Sequence, residues 1–254
     1  MTTELTTDAG SMGADDRDGY TVISGGSGFL GSALTDRLLA EGRQVVVLDR
    51  TPPRGPGAVP VQVDLSDETA LQGALDRLLA ERGAPARLVM CHGWSPKGED
   101  GTAIPEEKMP AGLFRQALDA NLTSCFLLMR ALVPAMAGRG FGRVVAVGSA
   151  AAHTGRTTAT SAYAAAKAGV AALVRTFAVR YAPQGVLINT VAPGKITNPG
   201  WPDAPDAVAR YRTEIPLGRL ADADEVADAI SFLISPQNSY ITGQTMIIDG
   251  GRLA

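Results

Sequence analysis

Cysteine is nearly missing from this chain: it has two, Cys91 and Cys125, in 254 residues. They form no CxxC pair and no metal-ligand spacing, and the count excludes a disulfide framework. Both lie among apolar neighbours and read as buried free thiols, which fits a reducing, cytoplasmic setting. No metal site is expected. An excess of positive charge is also lacking. The 23 basic and 26 acidic residues leave a net charge of −3, with no Lys/Arg-rich face to grip nucleic acid. No apolar run approaches the roughly 20 residues needed to cross a bilayer, so no membrane partner is expected.

What remains is an ordinary globular mixture, 45% hydrophobic and 19% charged, able to bury a substantial core. Residues 1–19 differ, being rich in Thr, Asp and Gly. They lack the basic start and apolar stretch of a signal peptide and read as a mobile acidic tail. Residues 20–254 read as one domain.

Within that domain strand-like and helix-like segments alternate. Tyr20–Ser24, Gln44–Leu48, Val59–Val63, Arg87–Cys91, Arg143–Val147, Val186–Thr190 and Thr245–Ile248 are short apolar runs. Between them Phe29–Glu41, Asp67–Arg82, Ala111–Ala137, Ser161–Tyr181 and Asp222–Leu233 have helical character. Such alternation predicts an α/β fold: a doubly wound, Rossmann-type parallel sheet with helices on both faces. Lys195–Arg219 is proline-rich with weak periodicity and reads as a loop, a candidate substrate lid. Ligands of such sheets bind beyond the carboxyl ends of the strands, and each motif below falls there.

Ser24-Gly25-Gly26-Ser27-Gly28-Phe29-Leu30-Gly31 joins the first strand to the first helix. Glycines permit a tight turn and close backbone approach to a pyrophosphate, with helix N–H groups facing it. This points to a dinucleotide. Asp49 ends the second strand, where a carboxylate accepts bonds from the adenosine ribose and repels the extra phosphate of NADP. NAD is therefore favoured, although the adjacent Arg50 could instead attract that phosphate. Asp64 and Leu65, after the third strand, are placed at the adenine edge; Asp64 reads equally well as a helix N-cap neighbour.

Tyr163 and Lys167 stand four apart, on one helix face. A free phenol has a pKa of about 10, and a neighbouring ammonium favours its ionised form. Such a phenol can exchange a proton with a carbonyl or an alcohol. Ser149, just past a strand end, could bond the substrate oxygen.

Together with Asn121 in DANLTS, Pro193-Gly194 in NTVAPG and the closing YITGQTMIIDGG, these residues resemble the short-chain dehydrogenase/reductase family, in its 3-oxoacyl reductase-like form, from about Tyr20 onward. The resemblance implies an NAD(P)-dependent oxidoreductase that interconverts a secondary alcohol and a ketone. It implies Tyr163 as acid/base, Ser149 orienting the carbonyl, Lys167 also holding the nicotinamide ribose, and Asn121 placing a relay water. It places the backbone after Val191 on the nicotinamide, giving Pro193, Gly194, Ile196 and Asn198 as contacts with Gly93. It also implies a homotetramer or homodimer through the alanine-rich Tyr163 helix and the Asn121 helix.

Several positions depart from the family pattern. Phe29 occupies the middle glycine of the loop, and Gly28 comes one place early, as in extended-type members. The NNAG segment appears as Met90-Cys91-His92-Gly93, so His92 or Cys91 is expected to help steady the neighbouring strand. The threonine after Pro193-Gly194 falls at Asn198 in register, with Thr197 one place early. The Ser149–Tyr163 interval is one residue long. The loop also suggests an NAD-retaining epimerase or dehydratase, against which stands the short stretch after Thr245–Ile248. A non-catalytic NAD-binding sensor is a third alternative, which the Ser149–Tyr163–Lys167 set disfavours. On the substrate side Trp94, His153 and Trp201 are candidates, each of which also reads as a packing or solvated loop residue.

Overall fold

The computed structural model describes residues 19–99, 101–155, 159–200 and 204–254. All of the acidic tail but Gly19 lies outside them, as does Trp201.

Seven parallel strands form one sheet in the order β3-β2-β1-β4-β5-β6-β7. They are β1 (Thr21–Ser24), β2 (Val45–Asp49), β3 (Val59–Gln62), β4 (Arg87–Met90), β5 (Gly142–Val147), β6 (Val186–Pro193) and β7 (Thr245–Ile248). Ile23 pairs with Val47 on one side and Val89 on the other. The helices are α1 (Phe29–Ala40), α2 (Glu68–Arg82), α3 (Ala111–Leu118), α4 (Ser124–Gly138), α5 (Ser161–Tyr181), α6 (Pro205–Glu214) and α7 (Ala223–Leu233).

The strands are apolar on both faces because both faces are covered. Alternate residues of β2 show it. Val46 and Leu48 join a core with Leu71 and Leu75 of α2, Leu128 and Leu132 of α4, and Val170 and Val174 of α5. Val45 and Val47 join a second core with Leu34 and Leu38 of α1 and Val226 and Ile230 of α7. The strand order reverses between β1 and β4, which opens a crevice at their carboxyl ends.

Two expectations change. The stretch from Ala111 is helical throughout but widens at Asp119–Thr123 into a π-helical turn that separates α3 from α4. The segment Lys195–Arg219, read as loop, contains α6. Pro205 sits in its first turn, where a missing N–H costs no helical bond. Tyr211, Ile215 and Leu220 then bury together against Val208. Two helical runs, Ala111–Gly138 and Ser161–Gln184, are long and apolar enough to cross a bilayer by length and composition; each contributes residues to the core beside the sheet.

Candidate active site

A cleft of about 780 Å³ opens beyond β1, β2 and β4. Its floor is the turn from β1 into α1. Gly25 has φ +72, and a Cβ there would sit 2.6 Å from the backbone of His92. A Cβ on Gly31 would lie 2.1 Å from the Gly25 carbonyl. Gly28 is the N-cap of α1, and no side chain caps it. The first N–H groups of a helix otherwise need a partner. Gly28 and Phe29, at the start of this helix, line the cleft, so the turn fits the pyrophosphate of a dinucleotide. Phe29 lines the cleft, whereas Leu30 packs into the core beneath it.

At the end of β2, Asp49 Oδ2 accepts from the Ser27 amide (3.2 Å) and Oδ1 from the Thr51 amide (3.2 Å). Both bonds fix the carboxylate at the cleft wall. Arg50 is exposed beside it. Asp64 and Leu65 line the same cleft. Hydrogen bonds from the Ser66 hydroxyl and amide hold the Asp64 carboxyl below the usual carboxylate range. The cap of α2 is Asp67, which accepts from the Ala70 amide at 3.0 Å.

The end of β4 makes the inner wall. The His92 ring is buried between Ser24 Oγ at its Nδ1 (2.7 Å) and Ser124 Oγ at its Nε2 (2.8 Å). It therefore ties β1 to α4, the steadying task expected of His92 or Cys91. Burial, reinforced by the Lys167 charge, pushes its pKa down to about 3. Burial likewise pushes the Cys91 thiol up to about 12 and the Cys125 thiol up to about 11, so both stay protonated near neutrality.

Lys167 is 2% exposed, on the inner face of α5. Its ammonium donates to the carbonyls of Val147 (2.8 Å) and His92 (3.2 Å), at the ends of β5 and β4. It stands 5.7 Å from the centre of the half-buried Tyr163 ring. Thr160 caps α5 by accepting from the Tyr163 amide. Asn121, in the π-helical turn, is wholly buried. A Cβ on Gly93 would lie 3.1 Å from Asn121 Oδ1 and 3.2 Å from Lys167 Nζ. Gly93, Asn121 and Lys167 thus meet at one point. Ser149 caps a 3-10 turn, Ala150–His153, accepting from the Ala151 amide at 3.1 Å.

Residues 29–252 match the family described as "Enoyl-(Acyl carrier protein) reductase". The chain belongs to the short-chain dehydrogenase/reductase family. It is 34% identical over 256 residues to the cis-4-hydroxycyclohexanecarboxylate dehydrogenase of Sinomonas cyclohexanicum, covering 96% of this chain and 100% of the relative. It is 30% identical to the 3-oxoacyl-(acyl-carrier-protein) reductase of Salmonella typhimurium, covering 91% and 95%. Among solved structures, a short chain dehydrogenase from Leptospira borgpetersenii with bound NAD+ superposes with a TM-score of 0.85 at 25% identity, covering 94% of this chain and 95% of that one. This short-chain dehydrogenase/reductase is accordingly an oxidoreductase acting between alcohol and carbonyl groups, and the family uses NAD(P).

The remaining expected residues spread around the site. Pro193 pairs with Ile248 of β7, and Gly194 donates to the Ile248 carbonyl at 2.8 Å. Ile196 packs into the α1/α7 core and bridges to Ala221. Asn198 lines a second cavity of about 590 Å³ between the segment after β6 and helices α6 and α7. Trp94 is 42% exposed on the cleft, and His153 is exposed after Ser149. Sequence reasoning missed Ser24 and Ser124, the partners of His92, and Gln116 and Asp119, which line the cleft opposite the glycine turn. Separations of 68 and 32 residues leave no local signal for the two serines.

Proposed function

We propose that this enzyme oxidises a secondary alcohol, or reduces its ketone, with NAD as the preferred dinucleotide and Tyr163 as acid/base. The observation that carries this reading is the buried Lys167 ammonium, fixed by two strand-end carbonyls one helical turn from Tyr163. That cation faces the Tyr163 ring, 5.7 Å from its centre, beside the group that must give and take the proton. In the oxidising direction Tyr163 Oη takes the hydroxyl proton as the hydride leaves the carbinol carbon; in reduction it returns that proton to the carbonyl oxygen. A bound nicotinamide supplies or accepts the hydride. Ser149 orients the substrate oxygen, and Asn121 holds the wall beside Gly93 and Lys167.

Gly25, Ser27, Gly28 and Phe29 would hold the pyrophosphate, Asp49 the adenosine ribose, and Asp64 and Leu65 the adenine. Gly93, Pro193, Gly194, Ile196 and Asn198 would border the nicotinamide, with Leu30 supporting the turn from below. Trp94 and His153 are proposed substrate contacts, with the segment around α6 as the cover. Two thiols outside any disulfide, Cys125 buried and Cys91 only partly so, support a reducing, cytoplasmic setting. The outer side of α4 and α5 carries Phe126 against Phe177, with Tyr181 stacked on Phe177, and supports a homo-oligomer.

The test is turnover of a panel of secondary alcohols with NAD+ and of ketones with NADH, beginning with cis-4-hydroxycyclohexanecarboxylate. Tyr163→Phe keeps the ring and removes the acidic proton. It is expected to bind NADH normally and to lose kcat by about 10²- to 10⁴-fold. Retained turnover in that variant sinks the reading.

A further inference from the structure

His92 stands where the family segment NNAG has its small third residue, yet it is among the most connected side chains of the site. The direction of its bonds follows from its neighbours. The Ser124 hydroxyl donates its one proton to the Ala120 carbonyl (3.1 Å), so Ser124 Oγ accepts from His92 Nε2–H. His92 Nδ1 then accepts from the Ser24 hydroxyl. The chain Ser24 to His92 to Ser124 to Ala120 uses each hydroxyl and ring proton once. It ends beside Asn121, inside the π-helical turn.

Three parts of the site hang on this ring. Ser24 directly precedes the glycine turn, and its carbonyl accepts from the Cys91 amide at 2.9 Å. The Gly25 backbone lies against the His92 backbone so closely that no Cβ fits between them. The His92 carbonyl is one of the two acceptors that hold the Lys167 ammonium. A small residue here would leave Ser24 and Ser124 without their shared partner and remove the side-chain tie from the β4 end to β1 and α4.

We propose that His92 is a positioning residue for the reaction: by joining Ser24 to Ser124 it holds its own carbonyl, and through it the Lys167 ammonium, in register with the Asn121 turn. The inference rests on the assignment of Tyr163 and Lys167 above. It differs from a purely structural role in what it controls, namely the place of a charge relative to a phenol. A misplacement of about 1 Å at such a point costs on the order of 10²-fold in rate.

The experiment compares His92→Ala, Ser124→Ala and Ser124→Thr with the native enzyme, in the best substrate of the panel above. Ser124→Ala removes the oxygen acceptor of the ring, leaving at Nε2 only the weaker Cys125 Sγ contact (3.5 Å), keeps His92 in place, and decides the matter if His92→Ala does not fold. Ser124→Thr keeps the hydroxyl. The two alanine variants are expected to lose kcat by about 10- to 100-fold, with the NADH dissociation constant of Ser124→Ala changed by less than about threefold. Their pH–rate profiles are expected to move, because the charge that faces the phenol has been displaced. Ser124→Thr is expected to restore both. Native kcat and pH profile in the alanine variants overturn the proposal, as does a kcat loss that only follows the melting temperature with the profile unmoved. If Tyr163→Phe stays active, the underlying assignment fails instead; if it is dead while both alanine variants behave as native, the positioning role alone fails.

Discussion

Asn121 and Trp94 are joined twice. The Asn121 carbonyl oxygen accepts from the Trp94 amide at 3.0 Å, and its Nδ2 donates to the Trp94 carbonyl at 2.7 Å. Nδ2 also donates to Ala117 one turn back along the helix. One buried amide thus pins the loop after β4 to the π-helical turn, and its second bond back along the helix helps explain why the helix can widen there. π-helical turns concentrate at functional positions.

Asn121→Ala leaves both backbone groups of Trp94 without their side-chain partner. Unfolding in urea is expected to show a loss of about 2–3 kcal/mol. Because the same loop carries Gly93 against Lys167, kcat is expected to fall by about 10- to 100-fold. A variant that loses stability but keeps full kcat would separate Asn121 from the chemistry.

The glycines of the turn differ in what they protect. Gly31→Ala drives a methyl into the Gly25 carbonyl, and overpacking of that kind costs about 1–3 kcal/mol. Both the melting temperature and NADH affinity should drop. Gly28→Ala meets only the Gly25 carbonyl, at 3.2 Å, and has an ordinary φ of −71. Its melting temperature should hold while NADH affinity falls, as read by nicotinamide fluorescence.

Asp49→Ala removes one carboxylate from the cleft wall and leaves Arg50 next to it in sequence on the same wall. The ratio of NADPH to NADH affinity is expected to rise by about tenfold or more, equivalent to about 1.4 kcal/mol. An unchanged ratio in titrations of both dinucleotides would remove Asp49 as the selector.

The buried His92 makes stability depend on pH. Burial lowers its folded-state pKa from an ordinary 6.5 to about 3. Below about pH 6.5 the unfolded chain takes up a proton that the native ring refuses, so the unfolded state binds more protons and stability falls with pH. The loss accumulates down to about pH 3, with a slope of up to about 1.4 kcal/mol per pH unit. Urea midpoints between pH 7 and 4 should therefore decline, and less steeply in His92→Asn. Equal slopes would show that the ring is protonated in the native state.

The parallel sheet was legible in the sequence because parallel strands covered on both faces must be apolar at successive positions. The runs at Val45–Leu48 and Val144–Val147 show that directly. The glycine turn, Asp49 and the Tyr163–Lys167 spacing were legible too, since each depends on residues near in sequence. Helix α6 was missed because its burying face has only Val208 and Tyr211, with Ile215 just beyond its end. The π-helical turn was missed because the side-chain amide within it bonds to a loop 27 residues away, which leaves no local signal.

The sequence by itself determined the fold class and the family and supplied the candidate site residues, because local spacing and strand-end position constrain them. Tertiary structure alone decided how those residues meet. It brought Ser24, His92 and Ser124 into one chain of hydrogen bonds and set the Lys167 ammonium on the ends of β4 and β5. Those contacts join segments far apart along the chain, where side-chain pairing in the buried interior, not sequence periodicity, selects the partner.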